Sequence, residues 1–392
     1  MAEISPSPAS SPYSPCLLCP RACGVNRLSL PTAGTRAGRR AGSGCCGESS
    51  VLRLASASIH RGEEPPVSGR GGSGTIFVTG CNLGCGFCQN YQISRDGMGR
   101  PVDGAEFTAI TLALQKAGAE NINIVTGSHA VPAIAAALDR ARDRGLDIPV
   151  LWNSSAYEGE AALDMLRDRV DVYLPDLKTL DTRLGERFFQ APDYPEHARA
   201  AVLRMLSFQG ELKWKDPVPL PVSAGLSPES SRPSPKPAAP VLAKGVIIRH
   251  LIIPGCLEST RDVIEWFSRY ARGRALLSLM TQYTPCPGSP GGVPRDTGPQ
   301  RRLIREEYDQ VMDWLAERGI DEGFYQEPVT GRDWLPDFNR TNPFSSRLSR
   351  PVWHWKDLAY TGTDVLSPQR GGSGVDRTGR SPGGLRNEGG PR

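Results

Sequence analysis

Six short aliphatic runs, Thr75 to Thr79, Ile122 to Thr126, Ile148 to Trp152, Val170 to Leu174, Val246 to Ile253 and Ala275 to Met280, alternate along the chain with segments of helical period. This alternation predicts βαβ units with parallel strands, because such runs are long enough for strands and too short for buried helices. One helix is expected over Pro132 to Arg144, where proline suits the first turn and Gly145 follows as a cap. Another is expected over Arg302 to Arg318, with Ile304, Tyr308, Val311, Met312 and Leu315 on one face and Gly319 after it. Six parallel strands suit an open doubly wound sheet or a partial barrel. Periodicity does not choose between them. Both place chemistry at the C-terminal ends of the strands.

Composition sets the limits around this core. The chain has 392 residues, 39% of them hydrophobic, and no apolar run near the roughly 20 residues of a membrane span. A soluble protein is expected. Gly and Pro number 43 and 35, and much of that excess lies in two places. Residues 366–392 hold eight glycines and five arginines against Asp376 and Glu388, which accounts for +3 of the net +4 charge. Pro217 to Pro240 carries eight prolines. Both stretches read as disordered, so the basic balance is a tail effect and implies no nucleic-acid partner. Met1 to Pro15 lacks the apolar region of a secretory signal, which places the ten cysteines in a reducing, cytoplasmic setting where clustered thiols bind metal. The expected organisation is a disordered N-terminus at 1–15 and a Cys-rich metal-binding segment at 16–66. A barrel at 67–340 follows, interrupted by a disordered insertion at 211–244, and then a mostly disordered tail at 341–392.

The sharpest motif follows the first of the six strands: Gly80-Cys81-Asn-Leu-Gly84-Cys85-Gly86-Phe87-Cys88. Three thiols at CxxxCxxC spacing, on a loop eased by glycines, can wrap a metal cluster while backbone amides approach its sulfurs. Soft thiolates suit iron–sulfur or zinc. Three ligands on a 4Fe-4S cube leave one iron open to another molecule, whereas structural zinc is normally closed by a fourth.

Cys81, Cys85 and Cys88, with Phe87 before the last, resemble the signature of the radical S-adenosylmethionine (SAM) superfamily. Asn121-Ile-Asn-Ile-Val-Thr126, Val170-Asp-Val-Tyr-Leu-Pro-Asp176-Leu-Lys178, Arg249-His-Leu-Ile-Ile-Pro-Gly255, Tyr325-Gln-Glu-Pro and Leu335-Pro-Asp-Phe338 agree. The chain is similar to pyruvate formate-lyase activating enzyme homologues that begin with a Cys-rich segment. The resemblance implies an α/β fold, a partial (β/α)6 barrel of TIM type. It also implies a 4Fe-4S cluster on Cys81, Cys85 and Cys88 that reductively cleaves SAM to a 5′-deoxyadenosyl radical, which abstracts hydrogen from a protein such as a glycyl-radical enzyme. A flavodoxin- or ferredoxin-type electron donor is implied as well. Other readings are radical modification of another protein or a small molecule, or a non-catalytic zinc or iron–sulfur protein. The SAM-binding positions implied are Thr126 and Ser128 in the turn Thr126-Gly127-Ser128-His129, where the family's Gly-Gly-Glu is absent. Asn153 and Ser155 at the end of the third strand complete them.

Strand parity adds Asp176 and Lys178, which share one face near the end of the fourth strand and could bind SAM, bind substrate or simply pair. Asn121 and Asn123 share a face on the second strand and are expected to pack as polar partners. Arg249 and His250 face opposite sides, so at most one reaches the site. His60, His129 and His250 receive no catalytic role. Near the N-terminus, Cys16, Cys19, Cys23 and Cys46, with Cys45 beside the last, supply a second set of soft ligands for zinc or an auxiliary iron–sulfur cluster, and metal can fold a segment with little apolar material. Cys256 and Cys286 are singletons and read as packing residues.

Overall fold

The computed structural model describes residues 11–28, 43–216, 240–286, 298–328 and 331–357. The strands are β1 (Arg53–His60), β2 (Ser73–Val78), β3 (Arg100–Pro101), β4 (Ile122–Val125), β5 (Val150–Ser154), β6 (Val172–Pro175), β7 (Lys213–Lys215), β8 (Val241–Leu251), β9 (Leu276–Met280), β10 (Gly323–Tyr325) and β11 (Ser349–His354). The helices are α1 (Pro65–Ser68), α2 (Tyr91–Ser94), α3 (Gly104–Lys116), α4 (Val131–Asp143), α5 (Glu160–Leu166), α6 (Thr182–Phe189), α7 (Tyr194–Phe208), α8 (Leu257–Tyr270) and α9 (Arg305–Glu317). Their ends follow local chemistry. Asp103 caps α3 by accepting from Glu106 N at 2.8 Å, and Asp181 caps α6 through Arg183 N and Leu184 N.

The sheet runs β10-β9-β8-β6-β5-β4-β2-β1-β11 and does not close on itself. The six expected strands are β2, β4, β5, β6, β8 and β9, all parallel, with β10 a short addition beside β9. This is the unclosed, barrel-like α/β architecture expected. Val67, Leu151, Val172, Leu174, Leu242, Ile247 and Leu276 fill the concave side, while Trp152, Tyr173, Ile124 and Ile248 pack outward in the larger cluster with residues of the helices. Successive residues of a strand therefore serve opposite faces.

Three expected boundaries move. The Cys-rich segment at 16–66 contains β1, which pairs antiparallel with β2 and so belongs to the main sheet. The insertion at 211–244 is narrower, because β7 and the first residues of β8 form an antiparallel pair at its two ends. The tail expected from 341 begins with an ordered stretch: β11 pairs with β1, and Phe338 and Phe344 pack on Phe77. The terminal segment at 1–15 is described only from Ser11, and residues 358–392 lie outside the described residues. No helix among the described residues is long and apolar enough to cross a membrane.

Candidate metal centre

The three-thiol loop leaves the C-terminal end of β2, and its path is held by backbone contacts from several elements. Gly80 has φ +90°, and a Cβ there would lie 2.4 Å from Glu48 Cγ. Only glycine fits. Gly84 N and Gly86 N donate to the carbonyls of Phe189 and Phe188 at the end of α6, at 3.2 and 3.0 Å. Phe87 packs edge-on against Phe188, Phe189 and Tyr283. The aromatic residue before the last cysteine thus anchors the loop to the helix layer, leaving the thiols at the mouth.

Cys81, Cys85 and Cys88 are all partly exposed. Cys81 Sγ accepts from Leu83 N at 3.4 Å, and Cys88 Sγ lies 3.3 Å from Ser94 Oγ. Burial pushes the Cys81 thiol up, and the charges of Cys85 and Cys88 push it further. Burial pushes the Cys85 thiol up to about 11, opposed by the Lys178 ammonium. The three sulfurs thus repel one another electrostatically and need a positive partner to ionise together. Lys178 and Arg95, both acting on Cys85, supply part of it. Among the described residues, no three Cys, His, Asp or Glu side chains converge tightly enough to hold a single ion. A cuboidal cluster spreads its thiolates farther apart than one ion does. The donor set, its N–H···S contact and its cationic neighbours fit such a cluster.

Asp176 and Lys178 lie close enough to Cys85 for their charges to act on it, and further polar side chains stand at the C-terminal ends of β4 and β5. Thr126 follows β4 with φ +64° and donates its backbone N–H to Asn153 O at 2.9 Å. Thr126 and Asn153 make no side-chain hydrogen bond among the described residues, and both are half-buried. Ser155 is half-buried too, and its carbonyl accepts from Tyr194 Oη at 2.9 Å. Asp176 and Lys178 form the ion pair that their parity allowed, at 2.7 Å. Burial disfavours the Lys178 charge, but Asp176 and Cys85 outweigh it and hold the amine above its ordinary range. Ser128 differs from the other five: it is buried, and its hydroxyl donates to Glu158 Oε1 at 2.8 Å. Glu158 also accepts from Trp152 Nε1 at 3.1 Å, and burial raises its carboxyl above the usual range. Sequence spacing did not single out Glu158, which lies 30 residues from its partner.

Below this rim, Arg249 faces the concave side. Its Nη2 donates to Glu63 Oε2 at 2.7 Å and its Nε to Glu64 Oε1 at 2.9 Å. Asn123 Nδ2 joins them by donating to Glu63 Oε1 at 3.1 Å. His250 turns outward, between Leu177 O and Thr260 Oγ1. Asn121 bonds to Ser73 and to Val67 O. His129 is buried, and burial takes its imidazole down to about 3. His60 packs at a tilt against the Phe344 ring. Cys286 is buried with Thr284 O as its partner. A separate cleft of about 470 Å³, lined by Arg167, Asp168, Asp171, Gln209 and Lys244, opens by the N-terminal end of β6, away from the thiols.

Residues 75–207 match the family model of the radical SAM superfamily. An uncharacterised protein of Methanocaldococcus jannaschii is 26% identical over 270 residues, which is 67% of each chain. Streptococcus suis SuiB bound to S-adenosylmethionine is 13% identical over 63% of this chain and 48% of its own, with a TM-score of 0.40. A domain of pyruvate-formate lyase-activating enzyme from Bacteroides vulgatus is 13% identical over 50% of this chain and 91% of its own, with a TM-score of 0.33. The chain spans about half the length of SuiB. The matched region opens at the strand that delivers Cys81, Cys85 and Cys88, so residues 75–207 are similar to a radical SAM domain, a family whose members use a 4Fe-4S cluster and S-adenosylmethionine.

Proposed function

We propose that the chain reductively cleaves SAM and directs the resulting 5′-deoxyadenosyl radical at a hydrogen of a protein substrate, in the manner of glycyl-radical-enzyme activators. The observation that carries this reading is the set of three half-buried thiols at the mouth of an unclosed sheet, with unpaired polar side chains on the strand ends beside them. Thr126 and Asn153 have free hydrogen-bonding capacity for the amino, carboxylate or ribose groups of SAM. Ser155, Asp176 and Lys178 line the same rim, with Lys178 charged and able to attract an anion. Ser128 supports the turn through Glu158 rather than by contact with SAM. An open sheet edge leaves width for a polypeptide loop, which a closed barrel would exclude. A flavodoxin- or ferredoxin-type protein would supply the electron in the cell.

The test is anaerobic reconstitution with iron and sulfide, reduction by dithionite, and addition of SAM. Formation of 5′-deoxyadenosine, abolished in Cys88→Ala, is the expected result. A cluster that is intact and reducible but yields none would overturn the enzyme reading. Adding host protein labelled with α-deuterated glycine should place deuterium in 5′-deoxyadenosine. Label arriving only from small metabolites would overturn the protein-substrate reading.

A further inference from the structure

The N-terminal thiols sit directly against the three-thiol loop. Cys81 N donates to Cys46 O at 3.4 Å. Arg21 Nε donates to Asn82 O at 2.9 Å, and Leu18 O packs against Gly159 so closely that a Cβ there would lie 2.5 Å away. The thiols themselves share one small space. A Cβ on Gly44 would lie 3.3 Å from Cys46 Sγ and 3.4 Å from Cys23 Sγ. Cys16 and Cys46 are buried, and Cys19 lies close enough to both for their charges to act on it.

Arg27 packs beside this group and is 1% exposed. Its Nη1 donates to Cys16 Sγ at 3.4 Å and to His129 O at 2.9 Å. Its Nε and Nη2 donate to Glu48 O and Ser49 O at 3.0 and 2.7 Å, and its plane lies over the Tyr13 ring. A buried guanidinium needs a compensating anion. Its acceptors here are three neutral carbonyls and the Cys16 sulfur. The same guanidinium reaches the turn at 126–129, where SAM is proposed to bind. Tyr13 Oη accepts from Ala133 N at the start of α4, which adds a second link to that turn.

We infer that Cys16, Cys19, Cys23 and Cys46 hold a second iron–sulfur cluster against the first site, and that Arg27 couples this cluster to the turn at 126–129 as a positioning residue. Tetrahedral zinc with sulfur at about 2.3 Å would draw its ligands to within roughly 4 Å of each other, whereas a cuboidal cluster takes thiolates spread farther apart, so zinc is the competing occupant that the test decides. The Arg27 bond to Cys16 Sγ is of the kind that tunes cluster potentials.

The test uses the full chain with Cys81, Cys85 and Cys88 all changed to Ala, loaded anaerobically with iron and sulfide. It should keep roughly half of the parent iron and show a reduced-cluster electron paramagnetic resonance signal. Zinc retained in place of iron would overturn the cluster assignment, and no retained metal would overturn the site. Should that variant not fold, Cys16→Ala/Cys19→Ala must lose the other half of the iron, and unchanged iron there is equally fatal. Arg27→Gln should leave the iron content intact, move the remaining cluster to a more negative potential and speed amide exchange across 127–133; Arg27→Lys should recover part of the potential. An unchanged potential and unchanged exchange would overturn the coupling. None of these readouts uses SAM, so the proposed reaction and the second cluster can fail separately.

Discussion

Thr126 holds a β-branched side chain at φ +64°, where non-glycine residues are strained by about 1–2 kcal/mol. Glycine would relieve that strain while adding about 0.5–1 kcal/mol of unfolded-chain entropy, so Thr126→Gly is expected to stabilise the protein by up to about 1 kcal/mol in thermal denaturation. If the hydroxyl contacts SAM, the same variant should bind SAM about tenfold more weakly by equilibrium dialysis, the cost of one hydrogen bond to a charged group. A variant with unchanged affinity would remove Thr126 from the site. Thr126 is singled out in the sequence by the resemblance and by its place after the second strand, and its contact with SAM is a proposal. The three thiols of the loop after β2 stand out in the sequence by their spacing alone. The Ser128 hydrogen bond was not legible because its partner, Glu158, arrives after another strand, and a hydroxyl's direction is decided by whichever acceptor the fold brings near. Arg27 was invisible for the same reason, since its acceptors come from three separate stretches of chain.

At the scale of elements, the strands with dense aliphatic runs were readable and those without were not. β1 reads Arg-Leu-Ala-Ser-Ala-Ser-Ile-His, with little β-branched character, and β11 carries Pro351, which suits a strand only at a sheet edge. Both are strands because of what they cover. Trp353 in β11 is 1% exposed, donates from Nε1 to Glu106 Oε1 at 3.0 Å and lies under the Arg100 guanidinium. Trp353→Ala should therefore cost about 3–5 kcal/mol in urea unfolding, as expected for a buried large aromatic. A loss below about 1 kcal/mol would mean that β11 is only loosely docked on β1.

Across the whole molecule, the concave side is held by charge as well as by aliphatic packing. Glu63 and Glu64 lie between β1 and β2, and Arg249 lies on β8, so their contacts span the curved sheet rather than joining neighbouring strands. Burial alone would raise the Glu64 carboxyl, but Arg249 outweighs it and holds it below its ordinary range. A depressed carboxylate stabilises the fold at pH values above its unfolded pKa, and that stabilisation is lost as pH falls through the folded value. The native chain should thus keep this contribution at neutral pH and lose it in acid. Arg249→Met removes the only cation among the described residues that touches both carboxylates and leaves two like charges buried together, a loss of about 3–5 kcal/mol at pH 7. With Arg249 absent, burial and mutual repulsion raise the carboxyl pKa values, so the neutral forms become the stable ones and the slope reverses. Arg249→Met should be more stable at pH 5 than at pH 7, while the parent shows no such gain. Glu63→Gln/Glu64→Gln/Arg249→Met should recover most of the loss at pH 7, because no uncompensated charge remains. Denaturant midpoints across pH 5 to 8 read all three chains. If Arg249→Met kept the parent's pH slope, the charged contact would not be what draws the two sides of the sheet together.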